Sequence, residues 1–216
     1  PELHRNALAG ATRIAGVGCI ATATILGLAP VIRAGLLDVE RDVVVDAKIG
    51  SSAAGKELSR ASHHSERAGA VRTYAPTRHR HLAEAEQALP GMPRLHMSAT
   101  AVERVRGVLA TAHTFVREGV EEADVLAAFR TMYDSEPFVR IVRARRGAHR
   151  VPDPRILDGS NYCDVGFGFD PQSRRLVVLS ALDNLVKGAA GHALQALNVA
   201  LNVPERTGLG FTGLHP

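Results

Sequence analysis

The chain has 216 residues, 45% of them hydrophobic and 22% charged, and its formal net charge is +4. That composition is typical of a globular protein with a hydrophobic core. It excludes a membrane helix, because no apolar run approaches the roughly 18 residues that one requires. The N-terminal segment lacks the basic and apolar blocks of a signal peptide. The two cysteines form no disulfide framework, so we predict a cytoplasmic protein.

Arginine supplies most of the positive charge, since Lys48, Lys56 and Lys187 are the only lysines in the sequence. The basic residues cluster in two segments, 60–80 and 140–150. Arginine forms bidentate contacts with carboxylates and phosphates, so these segments predict an acidic or phosphorylated partner. Aromatic residues make up 4% of the chain, too few for stacking on bases, and we expect no nucleic-acid partner.

The first half of the chain predicts helices and strands in alternation. An apolar, Ala-rich segment predicts a buried helix from Cys19 to Ala34, which Pro30 should kink or end. β-Branched residues predict a strand at 41–50, and a polar segment predicts a loop at 51–70. A short helix is expected at 83–89, followed by extended segments within 94–116.

The second half begins with the clearest amphipathic helix, at 120–133, which carries acidic residues in its first turn. Alternating residues predict a strand at 138–144 and an antiparallel pair at 161–170 and 174–182, joined by a turn. A last long helix is expected from Leu182 to Leu201. Helices mixed with several consecutive strands predict an α+β fold.

The segment "GVGCIATA" places Cys19 after two glycines and at the start of a helix. Backbone amides and the helix dipole favour a thiolate there and lower its pKa, so Cys19 is a candidate nucleophile. Gly16 and Gly18 permit unusual backbone angles and close approach of the backbone. The alternative is a small buried side chain, the interpretation that we favour for Cys163. The segment lacks the third glycine and the later acidic residue of a dinucleotide-binding loop.

The segment "RHRHLAEAEQ" contains His79 and His81, which share a face if the segment is extended. A histidine near a thiolate can act as general base and acid. A zinc site would need further ligands at set spacings, and none is evident, so we expect no metal. Upstream, Arg67 and Arg72 could bind a phosphate or carboxylate, or could belong to an exposed charged surface. The small residues after Asn184, in "DNLVKGAAG", suit close approach by a ligand or another helix.

Five motifs carry a resemblance to a known family. They are "GVGCIATA", "AKIGSSAAGKE", "YAPTRHRHLAEAEQ", "VRGVLAT" and "ALDNLVKGAAGHALQALN". In this order, over nearly the whole chain, they resemble the N-acetyl-γ-glutamyl-phosphate reductase family, with its lysine-pathway member that reduces a carrier-protein-bound α-aminoadipyl phosphate. The resemblance implies a catalytic and dimerisation domain of the semialdehyde-dehydrogenase type, a mixed sheet with helices on one side. Family members are longer and begin with a nucleotide-binding domain, which the resemblance places before this chain.

The resemblance also implies roles for individual residues. Cys19 matches the nucleophile that attacks the acyl phosphate and forms a thioester, which NADPH reduces to the semialdehyde. His79 is our first choice for the acid/base and His81 our second. The residues matching the cofactor site are Ser51, Ser52, Ala53, Gly55 and Asn184, and the candidate substrate contacts are Arg67, Arg72 and Arg106.

The resemblance implies that residues 1–181 form the catalytic domain and that 182–216 form a C-terminal helix and tail that pack on a nucleotide-binding domain. We expect a homo-oligomer that acts in arginine or lysine biosynthesis. Ala83 stands where the family motif has proline. The segment "HHSERAGAVRTYAPT" is more similar to the carrier-dependent lysine branch, and the arginine-rich surface suits a substrate tethered to an acidic carrier protein.

Two alternatives remain open from the sequence. The chain could be a substrate-binding or oligomerising fragment without reductase activity. It could also be a relative of aspartate-semialdehyde dehydrogenase, although the "HRHLAE" and "DNLVKGAAG" segments argue against that family.

Overall fold

The computed structural model describes residues 1–144, 146–147 and 149–213. Arg145 of the second basic segment and the last three residues of the predicted tail lie outside the described residues. The α-helices of the described part are α1 (Arg5–Leu8), α2 (Cys19–Arg33), α3 (His64–Arg67), α4 (His81–Ala88), α5 (Glu122–Tyr133) and α6 (Gly191–Ala200). Its strands are β1 (Val43–Ile49), β2 (Arg72–Ala75), β3 (Leu95–Ala101), β4 (Val108–Phe115), β5 (Val139–Ile141), β6 (Cys163–Asp170) and β7 (Arg175–Leu182).

The strands form one mixed sheet in the order β2-β3-β1-β4-β7-β6-β5. β1 runs parallel to β3, and β5 runs parallel to β6, while the other neighbours are antiparallel. β6 and β7 pair along their whole length, from Cys163 opposite Leu182 to Asp170 opposite Arg175, as the sequence predicted. The α+β prediction is confirmed.

The two faces of the sheet differ in burial. β1 alternates strictly: Val43 and Val45 are buried in a core shared with α2, while Val44 between them is 43% exposed. β4 alternates in the same way between buried and half-buried residues. The buried face therefore packs against α2, and the opposite face remains accessible.

Helix α2 is buried from Ile20 to Val31, as its apolar sequence predicted. Pro30 does not end it, since the helix continues to Arg33. Proline has no N–H to donate, so the Leu26 carbonyl one turn earlier loses its helical partner. The Tyr133 hydroxyl of α5 donates to that carbonyl at 2.6 Å. The hydrogen bond that proline removes is thus supplied by a neighbouring helix.

The segment at 51–70, predicted as a loop, contains short helical turns. Ser51–Ala54 and Arg60–Ser62 are 3₁₀ turns, and α3 follows directly. The first of these turns is held by backbone bonds, with the Ser51 N–H donating to the Arg104 carbonyl at 2.7 Å. The segment follows the end of β1 and so lies at one edge of the buried core.

The predicted helix from Leu182 to Leu201 is wrong at its start. Leu182 is the last residue of β7, where it is fully buried between Val108 and Cys163 of the neighbouring strands. A wide π-helical turn, Val186–Ala190, comes next, and α6 begins only at Gly191. The polar residues Asp183 and Asn184 separate the strand from the helix, and Asp183 accepts from the Leu185 N–H at 2.8 Å. The predicted helix started before this signal.

Candidate active site

Cys19 is the first residue of α2, and Gly18 before it is the N-cap. The Gly18 N–H donates to the Glu84 carboxylate of α4 at 2.7 Å. The Gly18 carbonyl accepts from the Thr22 hydroxyl at 3.0 Å. The turn that carries the cysteine is therefore fixed both within its own helix and by α4, which begins at His81.

Gly18 is required by close packing and not by its backbone angles, which are ordinary for any residue (φ −67°, ψ 154°). A Cβ atom at this position would lie 2.1 Å from His81 Nε2. The prediction of close backbone approach is confirmed at Gly18, and that of unusual angles is wrong. A Cβ at Gly16 would meet nothing within 4 Å.

His79 and His81 lie close together although His81 begins a helix. Their ring centroids are 4.6 Å apart, with the ring planes at 74°. His79 Nδ1 accepts from the His81 backbone N–H at 3.2 Å, so its proton in the neutral form lies on Nε2, 3.3 Å from the Tyr74 hydroxyl. The Nε2 atom of His81 accepts from Arg80 Nε at 3.4 Å. Its Nδ1 is buried without a hydrogen-bond partner among the described residues.

Burial controls the protonation of all three groups. It lowers the pKa of His79, and it lowers the pKa of His81 to about 4, so both rings are neutral near pH 7. Burial also raises the pKa of the Cys19 thiol, although the N–H groups of Ile20 and Cys19 act in the opposite direction. The prediction of a lowered thiol pKa is wrong for this chain, because desolvation outweighs the helix amides.

A cavity of about 370 Å³ opens in front of this turn. It brings together Cys19, both histidines and a group of basic residues from three parts of the chain. The predicted site residues that line it are Cys19, Ser51, Ala53, Arg67, Arg72, His79 and His81. Tyr74 and Arg80 also line it. Neither residue was predicted as a site residue, although both belong to the quoted "YAPTRHRHLAEAEQ" motif.

Arg67 is a cation without a carboxylate partner in the described part of the chain. One of its terminal nitrogens donates to the carbonyls of Ile49 and Val102, both at 3.1 Å, and its Nε is buried without a partner. Burial lowers the pKa of Arg67. Arg72 is exposed and donates to the Glu66 carbonyl at 3.0 Å. The cavity wall thus presents positive charge that is only partly neutralised.

The structure separates the predicted cofactor residues into two groups, one that lines the cavity and one whose side chains bind each other. Ser51 and Ala53 line the cavity, and Gly55 follows at φ +79° with open space around it. Ser52 and Asn184 instead bind each other, since the Asn184 amide donates to Ser52 Oγ at 2.9 Å. Asn184 also accepts from the buried Gly107 N–H at 2.7 Å. These two polar side chains fasten the loop at 51–55 to the end of β7.

Arg106 lies outside the residues that line the cavity. It forms an ion pair with Asp183 at 3.0 Å, and that carboxylate is fully buried. The structure therefore places it behind the site, next to the wide turn. Glu84 was missed as a site residue, although it belongs to the quoted "HRHLAE" segment. Its bond to the Gly18 N–H could not be predicted without knowing that α4 packs on α2.

The model for the semialdehyde dehydrogenase dimerisation domain matches residues 19–184, from the candidate nucleophile to the residue after Asp183. The chain belongs to this family. Because the match covers most of the sheet and α2, the fold predicted from the resemblance is confirmed.

Curated relatives extend the comparison to the whole chain. The [LysW]-L-2-aminoadipate 6-phosphate reductase of Deinococcus radiodurans is 54% identical over 216 residues, covering 100% of this chain and 62% of that protein. A putative reductase of the same name from Thermomicrobium roseum is 52% identical over 222 residues, with 100% and 63% coverage. A putative [LysW]-L-2-aminoadipate/[LysW]-L-glutamate phosphate reductase of Haloquadratum walsbyi is 51% identical. The chain thus spans less than two thirds of these relatives, and the resemblance to their family is confirmed.

A solved structure shows the same fold at low identity. The aspartate semialdehyde dehydrogenase II of Vibrio cholerae, in complex with ASA, superposes with a TM-score of 0.71 at 16% identity. The match covers 94% of this chain and 67% of that one. Among the described residues, no helix has the length and apolar character needed to cross a membrane.

Proposed function

We propose that this chain is the catalytic domain of a cysteine-dependent reductase, which converts a carrier-protein-linked aminoadipyl or glutamyl phosphate to the semialdehyde. The observation that carries the proposal is one cavity that holds Cys19, two neutral histidines and Arg67 without a carboxylate partner in the described residues. The names of the curated relatives support this substrate class. Lysine biosynthesis, and arginine biosynthesis for the glutamyl substrate, would be the pathways.

In this mechanism Cys19 attacks the acyl carbon of the substrate. The bond from that carbon to the phosphate oxygen breaks, phosphate leaves with the electron pair, and a thioester forms on Sγ. The raised pKa of the thiol means that a base must take its proton. His81 is the proposed base, because its ring edge with Nε2 packs on Gly18. The Arg80 N–H that Nε2 accepts at 3.4 Å must leave before Nε2 can take the thiol proton. His79, with its proton on Nε2, is the proposed acid toward the substrate carbonyl.

The nicotinamide cofactor NADP(H), when bound, would supply the hydride that converts the thioester to the aldehyde. Some of the residues predicted to bind this cofactor line the cavity, and others do not. Ser51 and Ala53 give a small-residue wall beside Cys19, and Gly55 leaves its surroundings open. Ser52 and Asn184 have their polar atoms bound to each other and to the backbone, so we assign them to shaping this wall.

Arg67 and Arg72 are the proposed anion contacts. Both line the cavity, and charge-assisted hydrogen bonds to a phosphate or carboxylate are strongest where water is partly excluded. Arg80 lies beside them, and its charge favours the thiolate of Cys19. An acidic carrier protein would be drawn to the same basic face and would present its tethered substrate to the cavity.

The C-terminal segment is proposed to pack on a nucleotide-binding domain. Leu197 and Leu201, on and directly after α6, are 47% and 64% exposed, and Phe211 further on is 52% exposed. An exposed apolar surface of this kind marks an interaction site. The accessible face of the sheet and the family's description as a dimerisation domain support a homo-oligomer.

The proposal is tested by following NADPH oxidation with the carrier-linked acyl phosphate and the intact natural protein. Cys19→Ala should lower the rate by about 10³-fold or more, since a nucleophile cannot be replaced by its neighbours. Cys163→Ala is the matched control, because this second thiol is fully buried against Ser180 and should not react. Reductase activity that survives in Cys19→Ala would overturn the mechanism, and a wild-type protein that binds substrate without reducing it would favour the binding-fragment alternative.

A further inference from the structure

A wide helical turn lies directly behind the candidate nucleophile. In Val186–Ala190 the backbone bonds span five residues, with the Gly188 N–H donating to the Asp183 carbonyl at 2.9 Å and the Ala190 N–H to the Leu185 carbonyl at 3.0 Å. Such π-helical turns insert an extra residue into a helix and are frequent at functional sites. None of the proposed catalytic steps uses a residue of this turn.

Gly188 in this turn lies against Cys19. A Cβ at position 188 would be 2.4 Å from the Cys19 Cβ and 3.1 Å from its Cα. It would also lie 3.2 Å from a methyl group of Leu182. Two of these atoms belong to the rigid start of α2 and cannot rotate away, so any side chain at 188 would displace the cysteine.

The turn is fixed at its second residue by Lys187, which is fully buried. Its ammonium donates to the Glu2 carboxylate at 2.5 Å and to the Gln195 side-chain carbonyl at 2.6 Å. Gln195 in turn donates to the same Glu2 oxygen at 2.9 Å. A buried cation that loses its partner strongly destabilises the fold. The Lys187 ammonium therefore stays where both the Glu2 carboxylate and the Gln195 carbonyl can accept from it.

The start of the turn is fixed by Asp183. One oxygen of its carboxylate accepts from the Leu185 N–H at 2.8 Å, and the other pairs with Arg106 and accepts from the Gly159 N–H at 2.6 Å. The backbone is therefore held at Leu185, directly before the turn, and again at Lys187. Gly188 directly follows Lys187, so these contacts hold its backbone against α2.

We propose that Lys187 and Gly188 position the nucleophile: Lys187 clamps the wide turn, and the bare backbone of Gly188 sets how far Cys19 reaches into the cavity. Both are positioning residues, because neither is placed in contact with the substrate. The inference rests on the proposed role of Cys19 and adds a device that the family resemblance did not assign. In this proposal the ion pair between Arg106 and Asp183 also has a structural role, because Asp183 fixes the start of the wide turn.

The first test is Gly188→Ala in the intact protein, read by the pH dependence of iodoacetamide labelling at Cys19. The added methyl should push the thiol away from the Ile20 and Cys19 N–H groups that favour its thiolate. Labelling at a fixed pH near 8 should slow by about tenfold, and its midpoint should move to higher pH. The turnover number should fall by a similar factor while KM for the acyl phosphate changes little.

Gly27→Ala is the matched control for crowding. Gly27 lies in α2, roughly 12 Å along the helix axis from Cys19. A Cβ at this position would lie 3.2 Å from the Cβ of Ser180 in β7. The substitution should alter the melting temperature and leave the labelling midpoint unchanged. A Gly188→Ala protein with the wild-type labelling midpoint and turnover number would overturn the proposal.

A second variant covers the case in which Gly188→Ala does not fold. Glu2→Gln with Lys187→Gln removes both charges of this ion pair together, so neither of the two residues is left as a buried ion without the other. We expect this pair to fold and to label Cys19 several-fold more slowly, and labelling like wild type would contradict the role of Lys187. Because labelling needs neither substrate nor NADPH, these outcomes are independent of whether the wild-type protein proves to be a reductase.

Discussion

The reactivity of Cys19 depends on a few atoms around the start of α2. Gly18 leaves room for the His81 ring, and Glu84 accepts the Gly18 N–H. Burial raises the pKa of the Cys19 thiol and lowers the pKa of both histidines. The site therefore holds a protonated thiol next to two neutral imidazole rings. Sequence indicated Cys19 as a candidate nucleophile and His79 and His81 as candidates for the acid/base. It could not indicate the direction of the thiol pKa, because desolvation comes from residues such as Gly188 that are distant in the chain.

Glu84 provides a test at this scale. Glu84→Ala removes the acceptor of the Gly18 N–H, so the cysteine turn and the histidine helix should shift relative to each other. We expect a loss of about ten- to a hundredfold in turnover number, since small misplacements of reacting groups have effects of this size. Steady-state kinetics with the carrier-linked acyl phosphate would measure it.

Two further substitutions in α4 serve as controls, one at Glu84 itself and one at the exposed Glu86. Glu84→Gln keeps a carbonyl oxygen for the Gly18 N–H and should retain most of the activity. Glu86→Ala removes an exposed carboxylate of α4 and should have no effect. Equal losses in Glu84→Ala and Glu86→Ala would show that the contact at 2.7 Å does not matter for catalysis.

At the scale of whole elements, the long periodic segments were predicted well and the junctions were not. α2, α5 and the β6–β7 hairpin follow from apolar periodicity and turn residues. The start of the C-terminal helix was wrong, because Leu182 belongs to a strand and the polar residues Asp183 and Asn184 that follow it mark the boundary. Pro30 does not end α2, and Tyr133, more than a hundred residues later, supplies the hydrogen bond that proline removes.

The Tyr133 bond gives a prediction for stability. Tyr133→Phe leaves the buried Leu26 carbonyl without a partner, and the free energy of unfolding should fall by about 1–3 kcal/mol. In a Pro30→Ala background the new N–H can bond to that carbonyl, so the same substitution should cost less. A double-mutant cycle by denaturant unfolding measures this coupling. Additive effects of the two substitutions would mean that Tyr133 acts through packing and not through its hydroxyl.

For the molecule as a whole, charge and exposed surface define where partners are expected. The cavity opens on a face with Arg67, Arg72 and Arg80, at the edge of the sheet where β1 ends and α2 begins. The C-terminal segment leaves the apolar side chains of Leu197, Leu201 and Phe211 exposed. Sequence predicted the basic character of the segment at 60–80. It could not show that Arg67 lacks a carboxylate partner in the described structure while Arg106 is paired with Asp183.

The carrier-binding proposal is tested by reversing charge on this face. Arg67→Glu with Arg72→Glu should raise KM for a carrier-linked acyl phosphate by about tenfold more than KM for a free acetylated one. The control, Arg94→Glu with Arg117→Glu, reverses two exposed arginines at the opposite end of the sheet and should change neither KM. Equal increases for both substrates would count against a carrier and would limit these arginines to binding the phosphate or carboxylate.

The central claim, a covalent thioester on Cys19, is tested most directly by mixing the intact protein with the acyl phosphate in the absence of NADPH. Mass spectrometry of peptides should find the acyl group on Cys19 and none on Cys163, with about one phosphate released for each acyl group bound. Adding NADPH should then remove the adduct. Reduction of the substrate by a protein that never carries an acyl group on Cys19 would contradict the account.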